Sequence, residues 1–289
     1  IIWLNFGGNL MEFLEIIKAI ILGIVEGVTE WLPVSSTGHM ILVDEFLKLN
    51  VSKEFMEMFL VVIQLGAILA VILLYWKKIF PFKFDNGVKV EKDTIIMWVK
   101  ILIACVPAAI VGLLWDDYLN ALFYNPTTVA IMLILFGILF IVIENYNKDK
   151  NPKINSLTEI TYTVAVMIGL FQLIAAVFPG TSRSGATIVG ALLIGVSRTV
   201  AAEFTFFLAI PVMLGASALK LVKFGLKTGF VMTGSELTIL LVGMIVAFIV
   251  SILAIKFLMS YIKNNDFKVF GWYRIVLGIL VLAYFYVIR

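Results

Sequence analysis

This 289-residue chain has little cysteine, histidine or charge: one Cys, one His, and only 14% Asp, Glu, Lys and Arg together. The lone thiol, Cys105, lies in an apolar run, which excludes an intrachain disulfide and any cysteine metal cluster and leaves it as a small core residue. With 62% apolar residues and a mean hydropathy of +1.08, polar side chains are too few to coat a soluble globule. The chain therefore reads as an integral membrane protein. Its formal net charge is only +3 and its lysines lie in short loops rather than one basic stripe, which removes nucleic-acid binding. No Gly-Lys-Ser/Thr phosphate loop is present, so a nucleotide-driven pump has no support. The first apolar run has neither a basic leader nor a small-residue cleavage site, and it reads as part of the working protein.

What the chain does have is long apolar runs. A helix needs roughly 20 apolar residues to cross a bilayer, and six stretches qualify: 55–76, 94–114, 126–144, 201–223, 236–260 and 269–287. Four others are too short: 13–28 with 34–48, and 160–178 with 186–196, each pair split by a polar turn containing proline. Backbone that is not helical survives at membrane depth only inside protein or beside water. Each pair is thus predicted to be a re-entrant helix-loop-helix hairpin, 13–48 and 160–196. The order is hairpin, three spans, hairpin, three spans, within a single membrane domain over 1–289.

The halves, 11–146 and 157–289, match at a constant offset of 146: Gly23 with Gly169, Glu26 with Gln172, Pro33 with Pro179, Ser36 with Ser182, Glu57 with Glu203. Because each half crosses an odd number of times, the second copy enters from the opposite face. The fold class predicted is all-α, an inverted-topology repeat with both hairpin tips near the midplane. Lysines concentrate in the 77–93 loop (Lys77, Lys78, Lys83, Lys89, Lys92), the 145–159 loop (Lys148, Lys150, Lys153) and the last loop (Lys263, Lys268), whereas the 115–125 loop carries Asp116 and Asp117. By the positive-inside rule the lysine-rich loops are cytoplasmic and both termini outside, although Lys48, Lys53, Lys223 and Lys227 fall on the outer side. Trp76, Trp98, Trp115 and Trp272 near span ends read as interfacial anchors. Pro126, after Asn125, reads as a helix start.

Chemistry concentrates at the tips. Glu26 and Glu30 are i and i+4 on one helix face, inside an apolar segment where charge is costly and by default functional. Like charges this close need a cation or a shared proton between them, and hard carboxylate oxygens suit a divalent cation, Mg²⁺ or Ca²⁺. The alternative is a structural pair lining a polar cavity. Ser35, Ser36 and Thr37 follow, at the start of the second half-helix, where free N–H groups favour an anion and where hydroxyls also serve as ordinary N-caps. His39, three residues after Ser36 and on the same face, is a candidate base, acid or nucleophile.

The second tip offers Gly180 for a tight turn, the hydroxyls of Thr181, Ser182, Ser184 and Thr187, and Arg183 at membrane depth. The predicted partners of Arg183 are a phosphate oxygen, met bidentately, or the two acids across the tip. Acid and base groups thus sit on one tip and anion binding on the other, with Glu26 opposite Gln172 and Thr37 opposite Arg183, an asymmetry that suits an enzyme better than a carrier. Gln64 and Gln172 read as helix-to-helix hydrogen bonds. Glu57, Glu144 and Glu203 near span ends read as reaching water, and Lys100, Lys220 and Lys256 as snorkelling. Gly23 and Gly27 allow close helix contact, with which a homodimer is compatible.

Two stretches, Glu26-Gly27-Val28-Thr29-Glu30 through Ser35-Ser36-Thr37-Gly38-His39 and Pro179-Gly180-Thr181-Ser182-Arg183-Ser184, resemble the two signature regions of the undecaprenyl-diphosphate phosphatase, or bacitracin-resistance, family. The resemblance covers the chain from Met11 on. It implies a cell-membrane enzyme that removes the terminal phosphate of a C55 polyprenyl diphosphate, regenerating the lipid carrier for cell-wall glycan export. It also implies a divalent cation and an extracytoplasmic active site. By motif position, Glu26 and Glu30 would be the acidic pair, Ser36 and His39 the nucleophile region, and Ser182 and Arg183 the phosphate binders. A separate lipid-phosphatase class uses two catalytic histidines, and a chain with one is outside it. The competing reading is a polyprenyl-phosphate flippase or anion-coupled transporter, alone or combined with hydrolysis, because broken helices at the midplane are a transporter signature.

Overall fold

The structure, a computed structural model, describes residues 2–84 and 89–288. The ends of the predicted domain, Ile1 and Arg289, and part of the first lysine-rich loop lie outside those residues. Apolar sequence that must satisfy its own backbone becomes helix, and eleven α-helices follow: α1 (Ile2–Thr29), α2 (Ser36–Phe46), α3 (Lys53–Val62), α4 (Gln64–Ile79), α5 (Lys92–Phe123), α6 (Pro126–Asn147), α7 (Tyr162–Val177), α8 (Arg183–Ile194), α9 (Arg198–Thr228), α10 (Gly234–Tyr261) and α11 (Lys268–Ala283). Six stretches are long and apolar enough to cross a membrane: Lys53–Ile79, Lys92–Phe123, Pro126–Asn147, Arg198–Thr228, Gly234–Tyr261 and Lys268–Val287. Each contains one predicted span. The protein is an all-α, multi-pass membrane protein. A two-residue antiparallel ribbon, Phe82–Lys83 with Lys89–Val90, is its one small sheet among the described residues.

α1 with α2 and α7 with α8 are helix-turn-helix units whose helices break at the predicted tips; α2, α7 and α8 are short, whereas α1 runs 28 residues from Ile2 and so begins well before the predicted 13–28 arm. The start of α6 is also as read: Asn125 caps it by accepting from the Thr128 N–H at 2.9 Å, with Pro126 in the first turn.

Lipid tails are as apolar as side chains, so helices in a bilayer associate through close backbone approach. α1 lies on α10, where a Cβ at Gly23 would come within 2.7 Å of the Gly243 carbonyl and one at Gly27 within 2.8 Å of Val250. The two glycines are therefore taken up within the chain, which removes them as the basis for a homodimer. α7 lies on α5, with Gly169 against the Ala104 carbonyl. α6 and α11 cross at Gly137 and Gly271, and the contact is reciprocal: a Cβ on either glycine would meet the other's carbonyl oxygen at 2.7 Å. The first part of α9, from Val200 to Ile210, is buried throughout and forms the centre of the largest apolar cluster with Phe204, Phe206 and Phe207.

Several polar residues near span ends behave differently from the sequence expectation. Glu144 and Glu203 do not reach water. Glu144 is 2% exposed and accepts from Arg198 and from the Phe267 N–H, and Glu203 accepts from Lys78 at 2.7 and 2.9 Å. Both lie inside helices, where packing brings a cation from another helix into reach, Arg198 of α9 for Glu144 and Lys78 of α4 for Glu203. Lys100 is buried and points its ammonium at the Thr158 carbonyl instead of snorkelling, and Trp98 is half-buried, donating to the Ile79 carbonyl. Glu57 is exposed, as read.

Candidate active site

Both hairpin tips turn by the same device. A serine at positive φ, Ser35 at 74° and Ser182 at 70°, ends the turn and caps the half-helix, its hydroxyl accepting from the N–H of Gly38 and Gly185 respectively. Such a conformation costs a non-glycine residue of order 1–3 kcal/mol and persists only where the surroundings enforce it. The caps fix the correspondence of the tips: Ser35, not Ser36, is the counterpart of Ser182. The second tip is one residue longer, so the uniform offset shifts by one there and Arg183 stands opposite Ser36 rather than Thr37. The extra residue is accommodated at Gly180, with φ of 92° and packed so tightly that a Cβ would meet the Val129 backbone at 2.5 Å.

The tips touch. Arg183 Nη2 donates to Glu30 Oε1 at 2.9 Å, its Nη1 donates to the Thr205 carbonyl at 2.9 Å, and the guanidinium lies over the ring of the buried Trp31. Ser36 Oγ donates to the other Glu30 oxygen at 3.0 Å. Ser184 Oγ donates to the Glu30 carbonyl at 3.1 Å and shares a hydrogen bond with Ser182 Oγ. Glu30 therefore holds an arginine from one hairpin and a serine from the other, while Glu26 lies beside it, 1% exposed and within the field of Arg183.

Not every residue in the two motifs faces the same space. Thr187 is fully buried, with its hydroxyl engaged by helix carbonyls and by Thr205, which places it behind Arg183. The His39 ring is engaged by Ser35 and Tyr273. Its Nδ1 meets the Ser35 carbonyl at 2.7 Å, an atom that can only accept, so Nδ1 carries the proton; Nε2 then accepts from the Tyr273 hydroxyl at 2.6 Å. Thr37 is half-buried and Ser35 is buried as the cap.

Sequence reasoning missed two residues on α11. Tyr273 is the partner of His39. Arg274 is completely buried and donates to main-chain carbonyls on both tips: Pro33 at 3.2 Å on the first, Gly180 at 3.0 Å and Thr181 at 2.7 Å on the second, with Leu133 of α6 at 3.4 Å. It forms no ion pair among the described residues. The available signal was an arginine in mid-span, which is costly unless it has a job.

Among the described residues, the buried side-chain polar atoms with no hydrogen-bond partner belong to Glu26 (Oε1), Trp31, Gln172, Thr181 and Arg183 (Nε). All five sit on the hairpins at or near the tips. Gln172 thus makes no helix-to-helix hydrogen bond, contrary to the sequence reading. Native proteins rarely leave such groups unsatisfied outside functional sites.

Residues 19–280 match the family described as Bacitracin resistance protein BacA. The chain belongs to that family. An undecaprenyl-diphosphatase of Desulfitobacterium hafniense is 74% identical over 95% of this chain and 98% of its own length. Undecaprenyl-diphosphatase 1 of Clostridium acetobutylicum is 69% identical over 96% of this chain and its full length, and an undecaprenyl-diphosphatase of Enterococcus faecalis is 64% identical over 94% and 98%. The bacitracin-resistance match includes both tips and the Tyr273-Arg274 pair of α11.

Proposed function

We infer that this protein is an undecaprenyl-diphosphate phosphatase of the membrane, releasing inorganic phosphate and the monophosphate carrier used in cell-wall synthesis, with bacitracin resistance as the consequence. The observation that carries the chemistry is the Ser36–Glu30–Arg183 chain at the junction of the tips. A diphosphate is polyanionic, and its transfer chemistry needs positioning and charge stabilisation above all. Arg183, now on Glu30, turns its guanidinium to the terminal phosphate, aided by the half-helix N-termini at Ser35 and Ser182. Releasing Glu30 frees it to take the Ser36 proton. Ser36 Oγ then bonds to the terminal phosphorus as the phosphoanhydride bond breaks and the prenyl monophosphate leaves; water later cleaves the phosphoserine. His39, directed to Tyr273, shapes the first half-helix rather than attacking.

The acidic pair, Glu26 and Glu30, would hold a divalent cation, Mg²⁺ or Ca²⁺, through hard carboxylate oxygens. No group of three His, Cys, Asp or Glu side chains among the described residues can hold a metal, but Glu26 Oε1 is unpartnered beside Glu30, and Mg²⁺ is commonly held by one or two carboxylates with substrate phosphate oxygens completing the shell. When bound, such an ion neutralises the diphosphate.

The helix packing supports an inverted repeat: α1 on α10 mirrors α7 on α5. On this reading the lysine-rich loops are cytoplasmic and the site opens to the extracytoplasmic side. Because Cys105 is buried, single cysteines at Lys150 and Asp117 would report sidedness to an impermeant maleimide on intact cells.

The test of the function is direct. Purified protein in detergent with Mg²⁺ and no gradient should release phosphate from polyprenyl diphosphate, and no release would sink the assignment in favour of a carrier. Ser36→Ala should lose about 10³-fold in turnover, in line with losing an essential nucleophile, while His39→Ala loses far less; the reverse order would overturn the serine mechanism.

A further inference from the structure

A polar cavity lies away from the tips, on the side of the lysine-rich loops, where α6 ends, α8 joins α9 and α10 ends. It encloses about 670 Å³ and is lined by Lys148, Lys150, Lys153, Arg198 and Lys263 against a single carboxylate, Glu144. Glu144 is already matched by Arg198, and the four lysines form no ion pair among the described residues. Lysines on this face are also what the positive-inside rule alone would give, so charge by itself decides nothing. Three further features do.

First, the walls are built rather than loose. Ile154 and Val196 pair as a parallel bridge, the Lys153 N–H donates to the Gly195 carbonyl at 2.8 Å, the Ser197 N–H to Ile154 at 2.9 Å, and the Asn147 amide to Leu192 at 2.9 Å. The lysine-bearing segment is thereby strapped to the α8–α9 junction, and Gly195, at φ of 96°, supplies the sharp turn. Second, the cavity has an apolar floor, with Leu192, Val196 and Ile262 buried beneath it. Third, it opens beside lipid-facing surface: Leu193 in its wall is 51% exposed, and Tyr146, over which Lys150 lies, is 61% exposed at the level where amphipathic rings mark the interface. A fixed basic pocket between helix ends, floored by apolar side chains and adjoining the acyl region, matches the form of an anionic-lipid headgroup site.

We propose that this pocket binds the phosphate headgroup of an anionic membrane lipid, apart from the hydrolytic centre. Lys148, Lys150 and Lys153 contact the phosphate from one wall and Lys263 from another, while the acyl chains run along the surface at Leu193. The site neither rests on the hydrolytic reading nor contributes a group to it.

The lysines are exposed, so their neutralisation leaves the core intact. Native mass spectrometry of the full chain in detergent, equilibrated with phosphatidylglycerol and phosphatidylcholine, should show preferential retention of phosphatidylglycerol. K148Q/K150Q/K153Q should reduce that retention at least about tenfold, since each Lys at an anionic surface is worth roughly fivefold. K83Q/K89Q/K92Q, which removes the same charge from another loop of the same face, should change it less than about twofold. Equal losses in the two variants, or no loss in either, would show only a diffuse positive face and overturn the site. Inorganic phosphate should not displace the lipid at equal concentration; occupation by phosphate with no lipid retained would overturn the lipid assignment. Phosphate release from polyprenyl diphosphate should be the same in both variants.

Discussion

The two hairpin tips share a frame and differ in chemistry. Each ends in a serine at positive φ that caps a half-helix through a glycine N–H three residues on, and each is held by Arg274 through its main-chain carbonyls. At matching depth one tip carries Glu26, Glu30 and His39, the other Gln172 and Arg183. The backbone device gives each tip a serine-capped helix N-terminus; the side chains then differ, acid on one and guanidinium on the other. On the proposed function, the shared frame serves binding and the difference in side chains serves catalysis.

The comparison breaks most completely at the residue that joins the tips. Arg183→Ala removes the cation and leaves Glu30 buried without its partner, a loss of about 3–5 kcal/mol in stability by itself. Phosphate release should fall by about 10³-fold or more, the range for an arginine that stabilises phosphoryl transfer. Arg183→Lys keeps the charge but cannot bridge Glu30 and the Thr205 carbonyl together, and should restore stability more than turnover. Measuring thermal midpoint and turnover on both variants separates the two roles; parallel recovery of both by lysine would argue that Arg183 only balances the acids.

Arg274 tests the shared frame. Arg274→Met strands carbonyls of Pro33, Gly180 and Thr181 in the protein interior, each worth about 1–3 kcal/mol when unsatisfied. The expected loss is roughly 3 kcal/mol of stability or more, read as a lower thermal midpoint in detergent, with activity falling alongside because both tips drift together. Normal stability would mean that the tips hold one another without it.

Glu26→Gln makes the first tip resemble the second at this pair. It removes a buried carboxyl whose Oε1 has no partner, so the fold should be unchanged or more stable, while turnover drops about 100-fold through loss of a group that organises charge at the site. Retained turnover would show that the Glu26 and Gln172 difference is not chemical.

Much of this comparison was readable in the residues. Period and length gave all six spans, and the polar, proline-containing breaks gave both hairpins, because backbone satisfaction in a bilayer leaves few alternatives. Glu30, Ser36 and Arg183 stood out because charge and hydroxyls in apolar sequence are rare. What escaped was what only assembly creates. Arg274 lies 241 residues from Pro33 and 93 from Thr181; its partners are carbonyls, which every residue has, so no pattern announces them. Glu144 and Glu203 were misread for a similar reason, since their cations, Arg198 and Lys78, come from distant segments. The one-residue difference between tips was hidden because Ser35 and Ser36 are adjacent and chemically identical, and only the capping geometry tells which is which.

The finest test concerns His39, the residue with no counterpart on the second tip. Its Nδ1 proton is held by the Ser35 carbonyl, on the very residue whose strained backbone sets the cap, and its Nε2 by the Tyr273 hydroxyl. The imidazole is thus a strut from α11 to the first tip, a connection the second tip lacks because Ala186 occupies the corresponding place after Gly185. Tyr273→Phe deletes one neutral hydrogen bond at a half-exposed ring, worth about 0.5–1.5 kcal/mol, and should lower turnover only about threefold with KM unchanged. A loss approaching that of Ser36→Ala would instead make the Tyr273–His39 pair part of the proton path, and the division of labour between the tips would extend to a third element.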